Sequence, residues 1–456
     1  MSEQFDTLIK GATVVTEAGM SRADIAVIGG RIAGISPDLG ERAGELIDAH
    51  GLHALAGIID SHVHFNEPGR TEWEGLETGS KALAAGGVTA FFDMPLNSHP
   101  PVTDAASFEL KKAAALRSAR TDFGIWGGLV PGNVGHMEGL RDAGVIGFKA
   151  FMCNSGIDDF PNVDEGTLRL GMKRAAELGL LVAVHAEDDA MARRITEEQH
   201  ALGTDVRTWL KSRPVELELE AIRMATDIAG ETGCALHIVH VSSPRGIALI
   251  REAKRGGLNV TVETCPHYLL LTDEDVVRLG APAKCFPPLR SEAVRAGLWS
   301  DLESGDVDTV GSDHSPAPPD MKRSKDFFGI WGGISGCQHG FELLFSEALR
   351  RRPAAVALPQ LTRLLSANVA RRFRVDHAKG RLAEGLDADV TLLRLGDPHT
   401  LSNADLLYRH RQGPYDGRPS TVRVVRTIVR GRTLFSEGRV APLAPSGHLV
   451  TPSPAS

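Results

Sequence analysis

Short strand-like segments alternate with helix-like segments eight times in the middle of the chain. This alternation constrains the fold more than any other feature of the sequence. The strand-like segments occupy 57–60, 89–94, 123–130, 145–152, 180–186, 235–241, 259–265 and 308–313. Eight alternating β and α units favour a closed parallel barrel over an open doubly wound sheet. The sequence therefore predicts an α/β fold with a TIM-like (β/α)₈ barrel.

Both ends of the chain show a different pattern. Short apolar runs alternate with Gly and Asp turns at 7–15, 23–35, 388–395 and 422–435. This pattern is typical of strands joined by turns. Because neither end has enough strands to close a core alone, we expect both ends to form one small β-sandwich. The predicted domains are 1–55 (first part of the sandwich), 56–375 (barrel) and 376–456 (second part of the sandwich, with a loosely held Pro/Ser-rich tail).

Composition excludes several functions for this chain of 456 residues. The formal net charge of −8 disfavours a nucleic-acid partner, which usually needs a basic face. No apolar stretch is long enough to span a membrane, and the first residues do not resemble a signal peptide. The five cysteines form no CxxC pair, which favours reduced thiols. We expect a cytoplasmic enzyme with a small-molecule substrate.

Metal-binding side chains follow four of the predicted strands, at the end where such barrels place their chemistry. His62 and His64 come after the first strand, and residues i and i+2 of an extended chain point the same way. Two such imidazoles suit a metal ion, although this motif alone is also compatible with two surface histidines. The fifth, sixth and eighth strands end at His185, His240 and Asp313. Asp313 is placed both to bind a metal and to accept a proton.

Lys149 joins this set, because it lies within the apolar fourth predicted strand, GFKAFM. Five of the predicted strands then carry a candidate ligand. Burial of an ammonium group is costly and lowers its pKa. A neutral amine can react with CO₂ to form a carbamate, an anion able to bridge two cations. Taken alone, the lysine is as well explained by a side chain that reaches the rim or pairs with an acid. Beside the other four strand ends, the carbamate is favoured.

Three further histidines are expected to have roles other than direct metal binding. We expect His237 to be structural and to face the opposite side of its strand from His240, towards the helical shell. His314 should point away from the ligands and contact one of them indirectly. His267 is compatible with either a contact to a ligand or a purely structural hydrogen bond.

The order His-x-His, Lys, His, His, Asp resembles the amidohydrolase superfamily, in its two-metal group with a carboxylated lysine. The resemblance covers nearly the whole chain and is strongest to the cyclic amidohydrolases, which include dihydroorotases, hydantoinases, dihydropyrimidinases and allantoinases. The segments similar to the allantoinase family are HVHFNEPGR (62–70), EWEG (72–75), ETG (77–79), MPLN (94–97), GFK (147–149), HVSSP (240–244), CPHY (265–268), GSDHSP (311–316) and WGG (331–333).

Two departures separate the chain from other relatives. Dihydroorotases typically carry an arginine where this chain has Asn66, so a carboxylated substrate is disfavoured. Hydantoinases and dihydropyrimidinases typically carry a tyrosine shortly after the strand lysine, and none follows Lys149 here. The resemblance thus implies ring opening of allantoin to allantoate, with a hydantoinase or dihydropyrimidinase as the alternative. Some relatives are non-catalytic scaffolds that have lost ligands, but every ligand position is filled in this chain.

The resemblance also implies a mechanism. His62, His64, Asp313 and the Lys149 carbamate would hold one ion, and the carbamate, His185 and His240 the other. Zinc is the default, and cobalt, manganese, iron or nickel fit the same ligands. Water activated between the ions would attack a ring carbonyl, and Asp313 would carry its proton to the leaving nitrogen.

Substrate contacts are expected from loops at the same end of the barrel. The candidates are Asn154, Phe286, Ser315 and the backbone near Trp331. In the loop that carries KCFPP, a serine found in relatives is replaced, so only a backbone contact from Phe286 remains. The glycine-rich segment 321–340 is expected to form a lid or wall, with an ordinary surface loop as the alternative. The resemblance further implies a homotetramer.

Overall fold

A computed structural model describes residues 5–454 of the chain. The N-terminal part forms five strands: β1 (Phe5–Thr16), β2 (Gly19–Ile28), β3 (Arg31–Ser36), β4 (Ala43–Asp48) and β5 (His53–Ala56). β1 pairs antiparallel with β2 and parallel with β4 and β5. Short turns at glycines separate the first three strands, as the sequence pattern predicts.

The middle of the chain contains only parallel strands. They are β6 (Ile58–Val63), β7 (Val88–Asp93), β8 (Asp122–Ile125), β9 (Gly127–Gly128), β10 (Phe148–Phe151), β11 (Val182–His185), β12 (Leu236–Ile238), β13 (Val260–Thr264) and β14 (Thr309–Val310). All eight predicted segments overlap with these strands. The third predicted segment contains two strands that pair with different partners. β8 pairs with β7, and Trp126 N still donates to Asp93 O in β7, whereas β9 pairs with β10.

These strands form a three-stranded sheet, β6-β7-β8, and a six-stranded sheet, β9 to β14 in chain order. The sheets are connected at two places. At the first, β8 and β9 are separated by Trp126 alone. At the second, Val63 at the end of β6 forms a parallel bridge with His314, which follows β14.

Helices lie between most of these strands. They are α1 (Leu76–Ala85), α2 (Ala105–Ser118), α3 (Met137–Ala143), α4 (Glu165–Glu177), α5 (Asp189–His200), α6 (Val206–Lys211), α7 (Val215–Thr232), α8 (Pro244–Arg255), α9 (Pro266–Leu270), α10 (Asp273–Leu279), α11 (Glu292–Ser304), α12 (Gly340–Arg351), α13 (Ala354–Thr362) and α14 (Asn368–Arg372). Several begin where an N-cap side chain accepts a backbone N–H, as Asp164 and Ser243 do. Within residues 5–454, no helix is both long and apolar enough to cross a bilayer.

The C-terminal part adds β15 (Val390–Thr400), β16 (Pro419–Val429), β17 (Arg432–Ser436) and β18 (Arg439–Val440). β15 pairs antiparallel with β5, so both ends of the chain contribute to one nine-stranded sheet. A separate apolar cluster covers this sheet and includes Ile9, Ile25, Val390 and Ile428. Both ends of the chain thus belong to one sheet, whereas the β-sandwich stays a prediction.

The prediction of a loosely held tail is wrong for the described residues. Phe123 N in β8 donates to His448 O at 2.9 Å, and Val450 N donates to Phe123 O at 2.7 Å. The Val450 side chain is buried. A short apolar run, Leu449–Val450, therefore anchors the tail to a central strand although its surroundings are rich in Pro and Ser.

A buried cluster of charges links the central strands to the C-terminal part of the sheet. Lys379 Nζ lies 2.7 Å from Asp122, 2.9 Å from Asp387 and 2.7 Å from Asp389. Arg430, in the turn between β16 and β17, also binds Asp122. Since buried carboxylates are costly without a counter-charge, this lysine holds three of them in place.

Lys379→Met should therefore destabilise the protein strongly. The side chain is only 2% exposed, and its loss leaves two buried acids, Asp122 and Asp389, and the partly buried Asp387 with Arg430 as their remaining cation. We expect a loss of about 3–5 kcal/mol in the free energy of unfolding, measured by denaturant titration. The matched control is Lys112→Met, which removes an exposed pair with Glu109 and should cost less than about 1 kcal/mol. Equal unfolding midpoints for both variants would contradict this role.

Candidate metal centre

His62, His64 and Asp313 converge at the carboxyl ends of the first and last central strands. Asp313 Oδ1 lies 3.3 Å from His62 Nε2 and 3.4 Å from His64 Nε2. The three ligand atoms lie within 4.8 Å of one another, a spacing that can hold a metal ion. The predicted alternation explains the geometry: His62 belongs to β6 and His64 follows it, so both side chains face the same point.

His185 and His240 face each other beside this group. His185 Nδ1 lies 3.0 Å from His240 Nε2, and both rings are buried. The His240 ring centroid is 5.5 Å from that of His62, so the two groups of ligands are neighbours. Burial lowers the pKa of His240 well below its usual value. Neutral imidazoles with facing nitrogens are suited to binding a cation.

Lys149 lies within β10, and its side chain is fully buried. Its Nζ has no hydrogen-bond partner within residues 5–454. The Phe151 ring lies 5.1 Å from Nζ and stacks on His185, with ring centroids 4.7 Å apart. Burial lowers the pKa of Lys149 to about 8. The alternative that this lysine reaches the rim or pairs with an acid finds no support in these contacts.

The five strand-end groups predicted from the sequence are thus brought to one edge of the parallel sheets. Two of them, His240 and Asp313, have left-handed backbone conformations with φ of 41° and 46°. Residues other than glycine rarely adopt this conformation, and such strain concentrates at functional sites. At both strand ends the chain turns sharply, which aims the side chain at the centre.

Electrostatics keep Asp313 ionised. Burial alone would raise the pKa of its carboxyl group, but the adjacent His62 and His64 lower it to about 2. The carboxylate is therefore unprotonated at neutral pH. It is free to bind a cation or to accept a proton.

Three features of these residues fit a metal ion. One carboxylate lies between two imidazole nitrogens, two further imidazoles face each other, and a buried amine has no partner. Without a cation, the facing nitrogens of His185 and His240 must share a single hydrogen bond. Imidazole and carboxylate groups are ligands typical of divalent transition metals.

Glu263, in β13, was missed by the sequence analysis although it orients one of the ligands. Its carboxylate lies 2.9 Å from His62 Nδ1 and accepts a hydrogen bond from Ser61 Oγ at 2.5 Å. Burial would raise the pKa of Glu263, but His237 and His62 hold it below its usual value. The carboxylate directs Nε2 of His62 towards Asp313. An acid in a central strand, VTVET, was the available signal.

Glu187 and Arg213 were also missed. Glu187 lies 2.9 Å from His185 Nε2 and 3.2 Å from Arg213 Nη1. Its contact with Nε2 leaves Nδ1 of His185 directed towards His240. The signal was local, because Glu187 follows His185 by two residues.

The three remaining histidines differ from one another. His237 lies 2.7 Å from Thr261 Oγ1 and 3.6 Å from Glu263 and also contacts Phe373, so it does not face only the helical shell, and a purely structural role stays a prediction. His314 Nδ1 accepts the Gly336 N–H at 3.1 Å and so positions the glycine-rich segment. Both ring nitrogens of His267 are buried without a partner among the described residues.

A cavity of about 600 Å³ opens above the candidate metal ligands. All four predicted substrate-contact residues line it: Asn154, Phe286, Ser315 and Trp331. Asn66 does not line it, and its Nδ2 lies 3.5 Å from Pro316 O. Asn66 therefore contributes no side chain to the cavity lining.

The glycine-rich segment 321–340 forms one wall of this cavity, through Met321 and residues 328–333. Two lysines fasten it from behind, the buried Lys284 and the partly buried Lys322. Lys284 Nζ donates to the carbonyl oxygens of Phe327, Phe328 and Ile330 at 2.5–3.1 Å. Lys322 Nζ donates to Trp331 O at 3.0 Å and to Gly333 O at 2.7 Å. The prediction of a wall is confirmed in position, and movement as a lid remains a prediction.

Comparisons with known proteins identify the family of this chain. A model of the amidohydrolase family matches residues 54–434. The chain belongs to the amidohydrolase family.

The relatives indicate a narrower group. An allantoinase of Rubrobacter xylanophilus is 54% identical, and one of Deinococcus radiodurans is 49% identical. The first alignment covers 98% of each chain, and the second covers 98% of this chain and 99% of the other. Among solved structures, an L-hydantoinase (dihydropyrimidinase) from Arthrobacter aurescens has a TM-score of 0.95 and 33% identity, over 98% of this chain and 100% of the other. This solved structure shares the α/β fold of the chain.

Lys284→Met should loosen the cavity wall. The substitution removes the donor for three carbonyl groups, and bonds from a charged donor contribute about 1.5–3 kcal/mol each. We expect faster amide hydrogen exchange across residues 321–340. Lys325→Met is the matched control, since Lys325 lies exposed in the same segment. Unchanged exchange in the Lys284 variant would show that the lysine does not fasten the wall.

Proposed function

We propose that the protein is an allantoinase, which hydrolyses the ring of allantoin to give allantoate. The observation that carries this proposal is the convergence of five side chains at the floor of one cavity, His62, His64, His185, His240 and Asp313, with the buried Lys149 close to them. The full-length similarity to allantoinases supports the choice of ring.

The site is proposed to hold two divalent cations. His62, His64 and Asp313 would hold one ion, His185 and His240 would hold the other, and a carbamate on Lys149 would serve both. Zinc is the default for these ligands, with cobalt, manganese, iron or nickel as alternatives. When bound, the cations polarise a ring carbonyl and make water acidic enough to act as a nucleophile near neutral pH.

The residues of the chain then have separate tasks. Asp313 is ionised at neutral pH, accepts the proton of the attacking water and delivers it to the leaving ring nitrogen. The unpartnered Lys149 amine, with a pKa of about 8, has a reactive neutral fraction in mildly alkaline solution. Glu263 and Glu187 keep the ring nitrogens of His62 and His185 directed inwards.

The cavity suits a small neutral ring with several donors and acceptors. Its lining combines the apolar rings of Phe286 and Trp331 with polar groups of Asn154 and Ser315. The Trp331 Nε1 has no hydrogen-bond partner among the described residues and is available as a donor. We propose that these four residues contact the substrate, with Phe286 acting through its backbone.

We further propose the architecture and setting that this function requires. The two parallel sheets form one closed (β/α)₈ barrel, residues 56–375, which the Val63–His314 bridge supports. Residues 1–55 and 376–456 form a β-sandwich, which their shared nine-stranded sheet supports. The proposed assembly is a homotetramer in the cytoplasm, with no nucleic-acid or membrane partner.

Lys149→Ala should remove bound metal and activity together, because it deletes the shared ligand. Added acetate or propionate should restore part of both by supplying a carboxylate in the vacated space. Metal content per subunit and allantoin turnover are the measurements. Lys173→Ala, at an exposed position, is the control and should match the wild type. Normal metal content and turnover in Lys149→Ala would rule out the carbamate.

A substrate panel tests the reaction itself. The wild-type protein should show its highest kcat/KM on allantoin, compared with hydantoin, dihydrouracil and dihydroorotate. Asp313→Asn serves as the control for contaminating activity and should lower turnover by about 10²–10⁴-fold with the fold intact. A preference for hydantoin or dihydrouracil would favour the hydantoinase alternative, which the similar solved structures make the second candidate.

A further inference from the structure

A second cavity, of about 430 Å³, lies at the opposite end of the parallel strands. Its lining includes Ile146, Leu181, Ala235 and Asn259, which lie one or two residues before β10, β11, β12 and β13 respectively. The candidate metal ligands lie within β10 or at the far ends of the strands. The two cavities are therefore separated by the length of the sheet, and the second has no place in the proposed reaction.

Three arginines from the end of α14 and the residues after it line this cavity, and no acidic residue does. Arg371 is neutralised by Glu17, with Nη2 and Oε1 2.6 Å apart. The Arg374 guanidinium has no hydrogen-bond or ion-pair partner that the described residues supply. Its exposed fraction is intermediate, so water does not surround it fully.

Arg372 has only neutral partners. Its Nη1 donates to Asn259 Oδ1 at 2.6 Å, and its Nη2 donates to Leu236 O at 2.5 Å. Asp308 interacts with the Arg372 guanidinium only electrostatically, and its carboxylate is already bound by Lys254 Nζ and by a backbone N–H. Burial lowers the pKa of Arg372 to about 10, and burial also lowers the pKa of Arg374. Two cationic groups thus border one cavity without a matching negative charge.

The backbone at Arg374 provides an independent observation. Its φ of 54° lies in the left-handed region, directly after the end of α14. Glycine is the residue favoured at this position after a helix, because a side chain there is strained. A strained arginine that also lacks a partner indicates a role for its guanidinium.

We propose that this second cavity is a binding site for a small oxyanion, a carboxylate or a phosphate, held by Arg372 and Arg374. Guanidinium groups bind such oxygens through pairs of parallel N–H bonds, and Arg374 has all five of its donors available. Binding neutralises the two charges that the fold leaves uncompensated. Because arginine stays protonated at neutral pH, the site binds anions across the physiological range.

The test is a titration of the metal-loaded, full-length protein with inorganic phosphate and, separately, with acetate. Ionic strength is held constant with chloride, and the thermal midpoint is measured. A specific site should give a saturable rise of about 1–2 °C at ten times Kd for a protein of this size. Arg374→Gly should abolish the rise while keeping or increasing the basal midpoint, since glycine relieves the backbone strain.

Arg432→Gln is the charge control. Arg432 is exposed, lies outside this cavity and should leave the response unchanged. An equal response in wild type and Arg374→Gly would place the anion elsewhere, for instance at the metal centre, and overturn the proposal. The absence of a saturable response in the wild type would overturn it too.

Discussion

Parallel pairing of the central strands is the constraint on which the site depends. Each strand contributes its carboxyl end to the same edge, so His62, His185, His240 and Asp313 meet although the chain separates them by up to 251 positions. The bridge between Val63 and His314 completes this arrangement, because it places the first strand beside the last. Without that contact, the strand pairing would not bring Asp313 to 3.3 Å from His62.

Buried charge is the second theme of the structure, and it is handled in three ways. Lys379 is matched by three carboxylates, which fasten the central strands to the shared sheet. Lys284 is matched by carbonyl oxygens, which hold the cavity wall. Lys149 has no match among the described residues, and that exception lies among the candidate metal ligands. Since an unpaired buried amine is costly, its position has a chemical rather than a structural explanation.

Patterns with a short period were predictable from the sequence. Alternating apolar segments located the central strands, with β8 and β9 in one segment, and the polar residues within or just after the strands identified the candidate ligands, because side-chain direction follows a period of two. The partners of the ligands were not predictable in this way. An acid within or just after a strand marked Glu263 and Glu187, but it did not reveal their partners, which lie 201 positions away for Glu263 and include Arg213 for Glu187. The tail was mispredicted because composition outweighed two apolar residues that pair with β8.

The sequence by itself determined the order of the strands, the joining of the two chain ends and the identity of the candidate metal ligands. These follow from local periodicity and from the chemistry of each side chain. Only the tertiary structure decided which imidazole nitrogen faces the centre, which loops line the cavity and which charges remain unmatched. Those properties depend on distances between residues far apart in the chain, and such distances are set by packing and strand register rather than by any local pattern. The arginine-lined cavity at the opposite end of the strands belongs to this second group.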